Sequence, residues 1–186
     1  IRDRIIVDQK LYKKRRIGVD SIVTVRSKLV QLQHEVLQHE VVQAGLNTFR
    51  ESTEAALAVA QILPFYPEWK LVIAGARRFQ DAPAGSYEAK VGKAIAPLGS
   101  QAEMTGFIPP DAVRSWQERA AIAACPSIWQ EPLGKVVIEA LAAGCAVLTT
   151  KCGGIPEVAE GRALMINNPT VSAFRDGFET LLSNEA

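Results

Sequence analysis

Apolar and polar positions along this chain fall into blocks that read as strand, then helix, then strand. Lys70–Ala74 (KLVIA), Ala121–Cys125 and Cys145–Thr149 are short, nearly continuous apolar runs. Gly75, Pro126 and Gly144 bound them. Such runs mark strands buried on both faces. Glu40–Ala44 (EVVQA), stopped by Gly45, is a fourth strand, and Ala102–Thr105 and Ala163–Ile166 are shorter ones. The alanine-rich run Glu51–Leu63 offers Leu57, Ala60 and Ile62 for packing and predicts a helix ended by Pro64 and Pro67. Further helices are expected over Tyr87–Ile95, over Ala112–Arg119 with Asp111 as N-cap, and over Gly134–Ala143 closed by Gly144. A helical turn at Pro156–Ala159 and an amphipathic helix at Val171–Leu182 complete the series. Ser21–Val25 reads as a strand, whereas Ser27–His39 fits either a helix or an extended segment.

Repeated strand–helix units with such strands imply an α/β domain, a mostly parallel sheet with helices on both faces. Ligands bind beyond the carboxyl ends of the strands in such sheets. The loops after Ala44, Ala74, Thr105, Cys125 and Thr149 are therefore the candidate site walls.

Composition narrows the picture. With 186 residues and 48% hydrophobic content, the chain has material for one domain with a full core and is not globally disordered. No run approaches the roughly 18 apolar residues of a membrane span, and IRDRIIVDQKLYKKRR lacks the apolar core of a secretory signal. Three cysteines (Cys125, Cys145, Cys152) show no metal-ligand spacing and suit a reducing compartment. With two histidines, His34 and His39, no metal site is expected.

Charge separates the head from the body. Residues 1–28 carry nine Lys or Arg against three Asp; the remainder carries 12 against 17 acids. A basic head suits nucleic acid or an anionic membrane surface. The simpler reading is a solvated arm or linker, because Tyr12 is its only aromatic residue and no nucleic-acid fold signature accompanies it. Residues 1–39 are set apart as this basic, linker-like segment and residues 40–186 as the domain.

The chemistry concentrates between Pro126 and Val158, PSIWQEPLGKVVIEALAAGCAVLTTKCGGIPEV. The helix from Gly134 is apolar almost all round, which predicts burial. Glu139 in its middle is then a buried carboxylate that needs a partner. Adjacent ligand hydroxyls, as on a ribose, would satisfy it; a structural ion pair or hydrogen bond does so equally well. Glu131 lies eight residues earlier, in the loop entering the helix. Gly134 lets a ligand approach free N–H groups at the helix start, where the dipole favours phosphate, and Lys135 adds positive charge. Gly153 and Gly154 permit tight backbone geometry and close ligand approach, or form a simple turn, and Glu157 either complements a helix start or serves a ligand.

These residues resemble a known family. PSIWQEPLGKVVIEALAAG resembles the donor-site signature of retaining glycosyltransferases of family 4, whose core is two glutamates with seven residues between them, here Glu131 and Glu139. GGIPEV, TGFIPPDAV (Thr105–Val113) and WKLVIAGA (Trp69–Ala76) resemble the same family in order and spacing over roughly residues 40–182. Ile17–Asp20 weakly resembles its interdomain hinge. The resemblance implies a Rossmann-like domain, the C-terminal half of a GT-B fold, that binds a nucleotide-diphospho-sugar. An N-terminal domain would hold a sugar, polysaccharide or lipid-linked acceptor.

By that resemblance Glu139 holds the ribose, and Glu131 is catalytic, holding the donor-sugar hydroxyls. Leu133, Gly134, Lys135, Gly153 and Gly154 line the donor site, and Phe107 and Ile108 lie near the base. The implied reaction is hexosyl transfer with retention, without cofactor or metal, from a UDP-, GDP- or ADP-sugar. The implied setting is cytoplasmic, with peripheral contact at the inner membrane face.

One departure stands out. Family members usually place an Arg beside the glycine after the first strand and a Lys shortly beyond; here Leu46 follows Gly45, and Glu51 takes the lysine position. Arg50, Arg77 and Arg78 are candidate replacements. Each lost charge-assisted contact weakens donor binding by roughly 1.5–3 kcal/mol. Two function classes follow: the donor half of a transferase, inactive in transfer by itself, or a degenerate non-catalytic module that binds a protein or an anionic surface.

Overall fold

The computed structural model describes residues 39–44, 52–75 and 87–183. The sequence expectations for Ile17–Asp20, Ser21–Val25, Gly45, Arg50, Glu51, Arg77, Arg78 and most of Ser27–His39 lie outside those residues.

Six strands form one sheet: β1 (His39–Ala44), β2 (Trp69–Ala74), β3 (Ala102–Gly106), β4 (Ile122–Cys125), β5 (Ala146–Thr150) and β6 (Leu164–Ile166). Every pairing is parallel and the order is β3-β2-β1-β4-β5-β6. The helices between them are α1 (Ser52–Ile62), α2 (Tyr87–Ile95), α3 (Pro110–Arg119), α4 (Lys135–Ala143), α5 (Ile155–Ala159) and α6 (Val171–Ser183). This is the doubly wound α/β arrangement that the alternating blocks predict. The order reverses between β1 and β4, and the carboxyl ends of the strands at such a switch point are where sheets of this type form their ligand crevice.

The strands feed two cores because successive side chains point to opposite faces. Leu71, Ile73, Ile122, Ala124 and Leu148 pack with α1, α2 and α6, around Phe174, Phe178 and Leu182. Val72, Ala123, Cys125 and Val147 pack on the other face with α4 and α5, around Val137, Ala140, Ile155 and Ala159.

Local chemistry sets the boundaries. Leu63–Phe65 continues α1 as a tighter 3-10 turn, with Pro64 in its first turn. One boundary differs from expectation: α3 is capped by Pro109, not Asp111. Pro110, its backbone preset for the first helical position, starts the helix early and leaves Asp111 in the first turn.

The expected all-round burial of α4 is also corrected. Only a stripe through Val137 and Ala140 is buried, while Ile138 and Ala142 are exposed. Apolar residues run all round α4, yet only one side of it meets the core, which leaves Ile138 as well as Ala142 in solvent. Its composition therefore says little about burial.

Candidate functional site

The loop from Pro126 to Gly134 leaves β4 at the switch point and delivers the chain to α4. Gly134 caps α4 in the left-handed region, at φ 65°. It is buried, and a Cβ there would lie 2.9 Å from Cγ1 of Ile155. Glycine is therefore required on both conformational and steric grounds. The cap supplies no side-chain hydrogen bond, and the Val137 N–H donates to the Gly134 carbonyl at 2.9 Å, which leaves the Lys135 and Val136 N–H groups of the first turn unclaimed among the described residues. Those donors and the helix dipole form a focus for negative charge.

The two glutamates flank that focus along the chain. Glu131 is half-buried, and nothing among the described residues engages its carboxylate. Its backbone is held at both ends. Its N–H donates to the Trp129 carbonyl at 2.8 Å, and its carbonyl accepts from the Gly154 N–H at 2.7 Å.

Glu139 corrects an expectation: it is not a buried carboxylate. Its side chain is 38% exposed and lies 3.6 Å from Lys135 Nζ, one helical turn back. An exposed pair at that distance contributes little to stability. Glu139 therefore needs no ligand to compensate burial, and it is reachable by one. Lys135 itself is 81% exposed at the entrance to α4.

Gly153 and Gly154 have a third role beside the two foreseen. The backbone that approaches them is the protein's own. A Cβ on Gly153, at φ 56°, would fall inside the contact distance of the Glu131 carbonyl oxygen, and one on Gly154 would do the same at the Pro132 carbonyl. The loop after β5 is thus pressed against the loop that carries Glu131. Glu157 is exposed in the first turn of the five-residue α5.

Leu133, 55% exposed, borders Gly134, and Trp129 and Ile128 are exposed earlier in the same loop. Phe107 (exposed) and Ile108 (half-buried) follow β3 at the sheet edge, beyond a register break that leaves Thr105 out of register with β2, its hydroxyl donating to the Ile73 carbonyl. Beneath the site, burial pushes the Cys125 thiol far above its ordinary range, with Cys145 and Glu139 adding to the effect. Among the described residues no group of three or more His, Cys, Asp or Glu side chains suits a metal ion. Nor is any described helix long and apolar enough to cross a membrane.

Sequence reasoning missed Thr149 and Thr150. Both are fully buried at the end of β5. Thr149 Oγ1 donates to the Cys125 carbonyl at 2.8 Å, and Thr150 Oγ1 donates to the Ser127 carbonyl. Two hydroxyls closing an otherwise apolar strand were the available signal.

Fold and site together define a doubly wound domain in which the chain beyond β4 carries, in order, Glu131, the N-terminus of α4 and Glu139. The chain belongs to the family described as glycosyl transferases group 1, which it matches over residues 47–186. Among solved structures it is similar to the C-terminal domain of LpcC, a group 1 family protein of Francisella tularensis. The TM-score is 0.64 at 27% identity, over 83% of this chain and 81% of that one. It is also similar in fold to Anabaena HepE in complex with UDP and glucose, with a TM-score of 0.64 at 22% identity, over 86% of this chain and 42% of that one. A curated relative is the lipopolysaccharide 1,2-N-acetylglucosaminetransferase of Salmonella typhimurium, 36% identical over 92 residues, which are 47% of this chain and 23% of that protein. The chain spans about a quarter or less of the length of the curated relatives it matches.

Proposed function

We propose that this domain binds the nucleotide-diphospho-sugar donor of a retaining glycosyltransferase. The observation that carries the reading is the order Glu131, open N-terminus of α4, Glu139 at the switch point of the sheet. Glu139 accepts hydrogen bonds from the ribose hydroxyls. The first-turn N–H groups of α4 and Lys135 take the diphosphate. Glu131 takes the hydroxyls of the sugar. Leu133 lines the donor, and Phe107 and Ile108 border the base.

When the bond from the sugar to the diphosphate breaks, negative charge grows on the leaving group. Preorganised N–H donors and a helix dipole stabilise that charge without reorganising. Arg50, Arg77 and Arg78, all outside the described residues, are the proposed replacements for the cations usual in this family, and Gly45, also outside them, is proposed as a donor-binding residue. The acceptor, a sugar, polysaccharide or lipid-linked sugar, is proposed to bind a separate N-terminal domain, and transfer to require it. Residues 1–39 are proposed as the linker-like approach to residues 40–186. The compartment proposed is the cytoplasm, at or near the inner membrane face. The UDP bound to HepE supports a uridine nucleotide among the choices.

The test is calorimetric titration with UDP, GDP, ADP and their sugars. Binding of one nucleotide series is expected, and Glu139→Ala is expected to abolish it. No binding to any of them at millimolar concentration overturns the donor reading in favour of a non-catalytic module.

A further inference from the structure

In the run AVLTT of β5, Val147 to Thr150 fill buried positions, and the last two residues are threonines with no exposed surface. Valine would fill the same space on a strand without burying a hydroxyl. A buried hydroxyl is costly unless bonded, so its partner indicates what it is for. Both partners are carbonyls of the chain leaving β4: Thr149 bonds Cys125 and Thr150 bonds Ser127. Being consecutive on a strand, the two side chains leave opposite faces of the sheet. They therefore hold the start of the Glu131 loop from both sides. The Gly154 N–H holds the end of that loop at the Glu131 carbonyl. Every one of these three bonds runs from the β5 side to the β4 side.

We propose that Thr149 and Thr150 are positioning residues for Glu131. Their hydroxyls fix the β4–α4 loop so that the Glu131 carboxylate stands where a donor sugar presents its hydroxyls. The sugar part of this statement rests on the donor-binding reading; the clamp does not.

The variants are Thr150→Val, which keeps the shape and removes the hydroxyl, and Thr150→Ser, which keeps the hydroxyl. Hydrogen exchange is followed in the full chain. In Thr150→Val the amides of Ser127, Glu131 and Gly154 should exchange about tenfold faster, the equivalent of one net hydrogen bond. Amides in α1 and α6 should keep their wild-type rates, and Thr150→Ser should restore the loop. Unchanged exchange in the loop, or faster exchange throughout the domain, overturns the clamp.

The second arm titrates UDP-glucose, GDP-mannose and ADP-glucose, each against its own nucleoside diphosphate. The preference for the sugar-bearing form should narrow about tenfold in Thr150→Val, with the nucleoside diphosphate affinity retained. Equal loss of both overturns the assignment to the sugar. A wild-type chain that binds none of the six overturns the sugar assignment together with the donor reading, while the exchange arm still decides the clamp.

Discussion

The two faces of the sheet are built differently. The face under α1, α2 and α6 is filled by large side chains, with Phe174, Phe178, Leu63, Leu71, Ile73 and Leu182 almost wholly enclosed. The face under α3, α4 and α5 is filled by Ala120, Ala123, Ala140, Ala159, Cys125 and Cys145 among a few valines and Ile155. Hydrophobic stabilisation follows apolar area removed from water, so the first face carries more of it. Beside the smaller side chains of the second face, Gly153 and Gly154 let the loop after β5 press against the loop after β4. One face holds the fold, and the other spends its close packing on holding a loop.

The largest effect that would break this comparison is at Phe178. Phe178→Ala should cost about 3–5 kcal/mol of stability through a cavity that its neighbours only partly fill. Thermal or denaturant unfolding measures it. Nucleotide affinity, measured below the lowered melting temperature, should stay at the wild-type value. A comparable loss of affinity would show that the faces are not separable.

Gly153→Ala reverses the expectation. A Cβ there meets the Glu131 carbonyl and occupies a left-handed backbone. Strain and overlap together should cost roughly 2–4 kcal/mol. Unlike Phe178→Ala, it should also weaken sugar-nucleotide binding in titrations carried out where the variant remains folded. A variant that loses stability yet binds as the wild type would separate the glycine contact from the site.

Sequence pattern reached most of the first face and less of the second. Strands β2, β4 and β5 follow from apolar runs and helix α6 from its periodicity. The approximate starts and ends of α4 and α5 followed from glycine and proline. The exposure of α4 did not follow, because its apolar residues, Ile138 among them, run round the whole helix while only one stripe meets the core. The exposed position of Glu139 was hidden by the same residues, which made its surroundings read as core. The close contact of Gly153 and Gly154 with Glu131 and Pro132 joins loops more than 20 residues apart. A glycine pair records that something comes near but not what. The threonine bonds were illegible for the same reason: a hydroxyl in sequence does not name its acceptor.

Cys125 gives the smallest and most local test of the second face. Its thiol is buried, and burial, then Cys145, then Glu139, raise its pKa far above the ordinary value of 9.0. In the unfolded chain the thiol ionises near that ordinary value; in the folded chain it stays protonated. The unfolded state therefore binds fewer protons at alkaline pH, and stability falls as pH rises. The contribution is fully present below about pH 9 and is lost above it, by up to roughly 1.4 kcal/mol for each pH unit. Cys125→Ala should flatten this alkaline loss relative to the wild type in unfolding titrations run from neutral pH to pH 10. Glu139→Gln should leave most of the loss in place, because burial is the leading cause and the carboxylate charge the least of the three. An alkaline slope that vanishes with Glu139→Gln would mean that the charge, not the close packing of small residues, governs that face.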